Sequence, residues 1–209
     1  MKMIKNVTYF ALLVWSLAAV AAPFEEGVNY KPVVPAQPTS NEEKIEVVEV
    51  FSYLCPHCHR FQPVIERWAN QAPDNVEFVR MPAIFNSRLV IYARAFYAAE
   101  ALGVLDSVHK PFFDALHMEK RAINDEQAIF DLMGELGVDV EAYQKAFRSF
   151  AVEAKVRRAA ELTRRYGIEA TPSVVVDGRY RMDPGMGKQG FRGVINVVDH
   201  LVEQAQTGS

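Results

Sequence analysis

The two cysteines of this 209-residue chain, Cys55 and Cys58, are separated by only two residues, in the sequence Cys-Pro-His-Cys. A disulfide between them would close so short a loop that it would remove little entropy from the unfolded chain. Half of the residues are hydrophobic, so the chain can build a core without such a cross-link. The spacing therefore favours redox chemistry over a structural role for the pair.

The residues around the pair predict that it lies at the start of a helix. The run 45–51 is rich in β-branched residues and is typical of a buried strand. After the cysteines, apolar residues recur at helical spacing, and the segment 76–81 is again typical of a strand. In this βαβ unit, the free N–H groups and the dipole of the helix N-terminus would stabilise a thiolate at Cys55. Pro56 suits the first turn of a helix, and a protonated His57 would add positive charge beside the sulfur.

The first 21 residues have the layout of a secretory signal peptide. Two lysines precede a mostly apolar stretch, which ends in the small residues Ala19-Val20-Ala21. Because this stretch is shorter than the roughly 20 residues that span a bilayer, we expect cleavage after Ala21 rather than a membrane anchor. The mature chain would then work in the periplasm, where cysteines become oxidised.

The region 86–166 has helical periodicity throughout and no segment that is typical of a strand. Breaks such as Gly103 and Gly137 divide it into four or five predicted helices. Asn124 and Gln127 resemble a capping box, so we expect Asn124 to cap one of these helices.

Strand patterns return after this helical region. The segment 172–176 is followed by Asp177-Gly178, a dipeptide that suits a type I′ hairpin turn, and then by a second predicted strand at 179–182. A last amphipathic helix begins near Phe191, and we expect it to pack on one face of the sheet.

Three motifs of this chain resemble the DsbA family of the thioredoxin superfamily. They are Glu-Val-Phe-Ser-Tyr-Leu, Cys-Pro-His-Cys and, far downstream, Ala-Thr-Pro-Ser-Val-Val-Val-Asp-Gly-Arg-Tyr. The resemblance runs roughly from Phe24 to the C-terminus and implies an α/β protein, a thioredoxin fold with an inserted all-helical domain. We therefore expect the signal peptide at 1–21, the thioredoxin-like domain in two parts at 22–85 and 167–209, and the inserted helical domain at 86–166.

The resemblance also implies roles for individual residues. It makes Cys55 the exposed nucleophile, Cys58 the buried resolving thiol and His57 the residue that tunes the redox potential. Thr171 and Pro172 match the cis-proline element of the family, where the Thr171 backbone would pair with an extended substrate peptide. Thr171 stands where the best-known oxidase of the family has valine, which leaves the strength of this oxidant open.

A candidate proton relay matches the family less completely. Glu49 corresponds to a buried acid beneath the active site, although without the resemblance it could equally be the polar face of an edge strand. Arg80 stands where the family can have a lysine, and Gln62 stands where it can have a second acid. Histidines also lie on the predicted helices without the spacing of metal ligands, and we expect core or solvated side chains there, at His109, His117 and His200.

The function implied is that of a thiol:disulfide oxidoreductase. It would donate the Cys55–Cys58 disulfide to reduced, newly exported proteins through a mixed disulfide at Cys55, and a membrane partner resembling DsbB would reoxidise it. The resemblance implies no flavin, nicotinamide or metal. We expect the mature chain not to be membrane-embedded. The net charge of the full 209-residue chain, −3, argues against a nucleic-acid partner.

Three alternatives remain open from the sequence. The first is a disulfide isomerase or reductase of the same superfamily, although the chain has no separate dimerisation domain. The second is a haem-attachment protein, because Cys55 to His59 also satisfies the pattern C-x-x-C-H. The third is a copper carrier that grips the metal with the two thiolates and a histidine. A Soret band, stoichiometric copper or catalysed oxidation of a reduced protein would distinguish haem attachment, copper carriage and oxidase activity.

Overall fold

The structure, a computed structural model, describes residues 24–188 and 190–207, so the predicted signal peptide at 1–21 lies outside the described residues. In the described part, five strands form one mixed sheet in the order β1-β5-β4-β2-β3. The strands are β1 Lys31–Pro32, β2 Ile45–Phe51, β3 Val76–Pro82, β4 Ser173–Val176 and β5 Tyr180–Met182. The helices are α1 Pro56–Ala69, α2 Val90–Ala101, α3 Leu105–His117, α4 Glu126–Glu135, α5 Val140–Phe147, α6 Phe150–Arg165 and α7 Gly190–Thr207.

The predicted βαβ unit is confirmed. Strands β2 and β3 pair in parallel, and α1 connects them. Strand β2 is central because it also pairs with β4, and Val47, Val50 and Phe51 are fully buried, as its β-branched and aromatic composition requires. The chain leaves β2 at one edge of the sheet and enters α1 at once, which fixes the position of the cysteines.

The two faces of the sheet are covered by different helices. Helices α1 and α7 pack on one face, where Phe61 and Val198 meet the strand residues Val47 and Val174. On the other face, Val48 belongs to a second hydrophobic core. This core includes residues of α2 to α6, the helices inserted between β3 and β4. This is a thioredoxin fold with an inserted helical domain, as expected.

Two local predictions meet different outcomes. The type I′ hairpin is supported, since Asp177 and Gly178 both have positive φ, 53° and 62°. A Cβ at Gly178 would collide with the carbonyl oxygen of Gln37, so glycine is required there.

The prediction of Asn124 as a helix cap is wrong by one residue. Asp125 is the N-cap of α4, because its carboxylate accepts the Ala128 N–H at 2.9 Å.

None of the described helices combines the length and the apolar character that crossing a bilayer requires.

Candidate active site

Cys55 lies at the N-cap of α1, where the chain leaves the sheet. Its backbone is extended, with φ −92° and ψ 113°, and its carbonyl oxygen accepts the N–H of His59 at 3.2 Å. Pro56 occupies the first turn, as predicted. The first N–H groups of α1 have no carbonyl partner within the helix, so they are free to donate to the Cys55 sulfur.

The two thiols differ sharply in acidity. Cys58 is fully buried, and burial raises the pKa of its thiol far above the ordinary range. Cys55 is partly exposed, and a hydrogen bond from the Cys58 thiol is the largest effect that lowers the pKa of Cys55, to about 5. Partial burial opposes this shift, whereas hydrogen bonds from the Thr171 side chain and from the N–H groups of Cys58 and His57 support it. At neutral pH, Cys55 is therefore a thiolate and Cys58 holds its proton.

The loop before β4 brings Thr171 and Pro172 to this sulfur. When Cys55 carries a proton, its Sγ donates to the carbonyl oxygen of Thr171 at 3.2 Å. The Thr171–Pro172 peptide bond is cis, and the Ser173 hydroxyl closes the loop by donating to the carbonyl oxygen of Ala170 at 2.8 Å. The two motifs that the sequence analysis singled out thus meet at Cys55.

Glu49 and Arg80 lie side by side on β2 and β3, beneath α1. Glu49 is 1% exposed, and its Oε2 lies 3.5 Å from Nε of Arg80. This contact is an ion pair without a hydrogen bond, since both atoms are buried and lack hydrogen-bond partners among the described residues. Burial raises the pKa of Glu49 to about 7, although Arg80 acts in the opposite direction. Glu49 can therefore hold or release a proton near neutral pH.

Glu66 of α1 is a residue that the sequence analysis missed. Arg80 Nη2 lies 3.8 Å from Glu66 Oε1, so Arg80 joins the buried Glu49 to a carboxylate whose side chain is 49% exposed. Gln62 is buried one helical turn earlier. Glu66 lies four residues beyond Gln62, a spacing that places both residues on the same face of α1.

The His57 ring faces Arg60. The guanidinium donates to Nδ1 of His57 at 2.9 Å, so this nitrogen carries no proton in the observed arrangement. The contact of His57 with the Cys55 thiolate is its backbone N–H. The role of His57 in tuning the redox potential stays a prediction. In the structure, His57 stabilises the Cys55 thiolate through its backbone N–H, and its side chain contacts Arg60.

Three histidines converge beside the redox turn, although the sequence scatters them. His59 follows the motif directly, and its Nε2 lies 2.8 Å from Oδ1 of Asp114 on α3. His117, at the end of α3, places its Nε2 2.7 Å from the carbonyl oxygen of Tyr53, and its ring stacks on that of His59 at 5.3 Å. His109 is buried against Tyr53, with Nδ1 2.8 Å from the phenolic oxygen, and burial lowers the pKa of His109 to about 3. Across residues 24–188 and 190–207, no group of three or more histidine, cysteine or acidic side chains is arranged to hold a metal ion.

Comparison with known protein families gives two overlapping matches. A family described as "DSBA-like thioredoxin domain" matches residues 79–191, which is more than half of the chain. A thioredoxin family matches residues 30–92, a range that includes the redox pair.

Individual relatives match over nearly the whole chain. The chain is 36% identical to the thiol:disulfide interchange protein DsbA of Burkholderia cepacia over 90% of its own length and 89% of the relative. It is 32% identical to the DsbA of Pseudomonas aeruginosa over 98% of this chain and 99% of that one. The crystal structure of Pseudomonas aeruginosa DsbA superposes with a TM-score of 0.86 and 33% identity, over 90% of this chain and 97% of that chain. This chain therefore belongs to the DsbA family of thiol:disulfide oxidoreductases.

Proposed function

We propose that the protein acts as an oxidase, which donates its Cys55–Cys58 disulfide to reduced, newly exported proteins. The observation that carries this proposal is the contrast between the two thiols. Cys55 is partly exposed, with a pKa lowered to about 5 by the Cys58 thiol, whereas Cys58 is buried and its pKa is raised. Stabilising the Cys55 thiolate favours the reduced protein over its disulfide, and this makes the disulfide a good electron acceptor.

The proposed reaction begins when a client thiolate attacks the sulfur of Cys55. A client–Cys55 disulfide forms, the Cys55–Cys58 bond breaks, and Cys58 leaves and takes up a proton. A second client thiolate then attacks the client sulfur of this mixed disulfide and displaces Cys55 as a thiolate. The client loses two electrons and gains a disulfide, while the oxidoreductase gains the two electrons as one thiol and one thiolate.

The first step leaves negative charge on a buried sulfur, and we assign its proton to Glu49. The raised pKa of Glu49, about 7, means that this carboxyl is partly protonated at neutral pH. Glu49 pairs with Arg80, and Arg80 also contacts the half-exposed Glu66. This chain of contacts connects the buried carboxyl of Glu49 with the solvent-exposed surface. Glu49 would supply the proton, and Arg80 would stabilise the carboxylate that remains.

The client peptide would lie between Thr171 and α1. The carbonyl oxygen of Thr171 is 3.2 Å from Cys55 Sγ, so a chain joined to this sulfur must pass beside the Thr171 backbone, which can pair with it as a strand edge does. Pro63 and Phe191 line an open groove along α1, with Glu66 and Lys110 also among its lining residues. Backbone pairing and an apolar groove suit a catalyst that accepts many unfolded sequences.

The remaining expectations follow from the same proposal. The protein would be exported by the cleaved segment 1–21, act in the periplasm and be reoxidised by a membrane partner resembling DsbB. We further propose that residues 22–85 and 167–209 form one thioredoxin-like domain, interrupted by the helical domain 86–166. Helices α2 to α6, all between β3 and β4, support this division.

The test is delivery of a disulfide to a reduced, unfolded protein that contains two cysteines. We expect the oxidised protein to transfer one disulfide per Cys55–Cys58 pair, and Cys55→Ser to transfer none. A scrambled client with mispaired disulfides provides the comparison. Faster repair of the scrambled client than oxidation of the reduced one would favour the isomerase alternative and overturn the proposal.

A further inference from the structure

The turn between β2 and α1 is held by a helix of the inserted region. Tyr53 lies two residues before Cys55, and its carbonyl oxygen is 2.7 Å from Nε2 of His117. Its phenolic oxygen is 2.8 Å from Nδ1 of His109, and both histidines belong to α3. The same helix therefore fixes both the backbone and the side chain of one residue in the redox turn.

The contact continues on the other side of the redox motif. His59, the residue after Cys58, bonds to Asp114 of α3 at 2.8 Å, and its ring is nearly parallel to that of His117, with 16° between the planes. Lys110 pairs with the second oxygen of Asp114. Hydrogen bonds from Lys110 and His59 lower the pKa of Asp114, although its partial burial alone would raise it. Asp114 is therefore a carboxylate, and it holds His59 from α3.

These contacts are directional, and this distinguishes them from ordinary core packing. The Cys55 thiolate depends on hydrogen bonds from Cys58 and from the N–H groups of His57 and Cys58. Such bonds weaken when a donor shifts by a few tenths of an ångström or tilts away. If the turn between β2 and α1 could move relative to α1, these hydrogen bonds to the Cys55 thiolate would lengthen or tilt. A turn that α3 fixes on both sides of the Cys-Pro-His-Cys motif therefore stabilises the thiolate better.

We propose that His117 is a positioning residue for Cys55. Its Nε2–H donates to the carbonyl oxygen of Tyr53, and its stacking on His59 keeps the imidazole in place. The inserted helices thus set the geometry in which the redox helix stabilises the thiolate. The inference rests on the proposed role of Cys55 as the nucleophile, but it concerns the acidity of the thiol and can be measured without a client.

The test compares three substitutions at His117 in the reduced protein. His117→Leu removes the donor, and His117→Asn is too short to reach Tyr53. His117→Gln places an amide N–H close to the position of Nε2. The readout is the pKa of Cys55, from thiolate absorbance and from the alkylation rate as functions of pH. His200→Leu is the matched control, because His200 lies on α7 against Phe24, away from the redox turn.

We expect His117→Leu and His117→Asn to raise the Cys55 pKa by about half a unit, the scale of one neutral hydrogen bond. This corresponds to an approximately threefold shift in the redox equilibrium with glutathione. His117→Gln and His200→Leu should keep the parental pKa.

The proposal would be overturned if folded His117→Leu or His117→Asn kept the parental pKa of Cys55. It would also be overturned if folded His117→Gln raised this pKa as much as His117→Leu does. If His117→Leu does not fold, His117→Asn and His117→Gln decide the outcome. Failure of the proposed function would appear elsewhere, as a parental protein that oxidises no client although its Cys55 pKa responds as expected.

Discussion

The sulfur of Cys55 lies 3.2 Å from the carbonyl oxygen of Thr171, although 116 positions separate the two residues in the chain. Antiparallel pairing of β2 with β4 produces this contact, because it sets Val50 opposite Ser173. The end of β2 and the start of β4 therefore share one edge of the sheet. Anything bonded to Cys55 must lie beside Thr171, so the sheet itself couples Cys55 to the loop that we propose binds the client peptide.

The first prediction separates the roles of the two cysteines. Cys58→Ser cannot form the Cys55–Cys58 disulfide, but its Cys55 thiolate can attack the disulfide of an oxidised client, which forms a Cys55–client disulfide and frees the second client sulfur as a thiolate. Because no Cys58 thiol is present to displace the client, these mixed disulfides should accumulate. Cys55→Ser should trap few or none, because the remaining thiol is fully buried and its pKa is raised. Non-reducing electrophoresis of both variants after expression would reveal the adducts. Equal trapping by the two variants would contradict the assignment.

The second prediction concerns the source of the Cys55 acidity. The Cys58 thiol is the largest contributor, whereas the His57 ring faces Arg60 and His57 contributes its backbone N–H. Cys58→Ala should therefore raise the Cys55 pKa more than His57→Ala, which retains that N–H. Thiolate absorbance as a function of pH measures both. A larger shift in His57→Ala would mean that the His57 ring contributes more to the Cys55 acidity than the Cys58 thiol does.

The sequence predicted most of this site because its main parts are local. A β-branched run, two cysteines and Pro56 specify a strand that enters a helix N-terminus, and each preference acts within a few residues. The resemblance supplied Thr171 and Pro172 as the cis-proline element, but the contact of Thr171 with Cys55 was not predicted, since strand pairing across a helical insertion leaves no local pattern.

The contacts that α3 makes with the redox turn, and the contact of Glu66 with Arg80, could not be predicted from local sequence patterns. His109 and His117 are spaced as residues of one helix, and this pattern does not reveal that the helix packs beside the redox turn. Glu66 on its own resembles any exposed helix residue, and its relation to Glu49 appears once Arg80 on β3 is placed between them.

The third prediction uses Glu49 as a stability probe. Folding raises its pKa from 4.5 to about 7, so the folded protein binds a proton that the unfolded chain releases between these values. The resulting stability is fully present below pH 4.5 and is lost as pH rises through 7. Relative to Glu49→Gln, the oxidised parental protein should lose on the order of 3 kcal/mol between pH 5 and pH 8.

Urea unfolding of both oxidised proteins at the two pH values gives this difference. Glu203→Gln is the matched control, because Glu203 is exposed on α7 and is not among the groups that act on the Glu49 pKa, so the same removal of a carboxylate leaves the Glu49 contribution in place. The free energies of unfolding of the parental protein and of Glu49→Gln could instead differ by the same amount at both pH values. Glu49 would then stay ionised in the folded protein and could not supply a proton near neutral pH.

The last prediction concerns the two redox forms of the parental protein. Folding lowers the Cys55 pKa from 9.0 to about 5, so the reduced form carries stability that is fully present above pH 9 and is lost as pH falls through 5. At pH 8 this amounts to at most about 4 kcal/mol, and solvent screening of the partly exposed sulfur reduces it. The disulfide opposes it with about 2 kcal/mol, the loop-closure entropy of so short a ring. We therefore expect urea melts to find the reduced form more stable at pH 8 and the oxidised form more stable at pH 5. An oxidised form that is more stable throughout this range would mean that the fold does not stabilise the Cys55 thiolate, and the proposed direction of electron transfer would lose its basis.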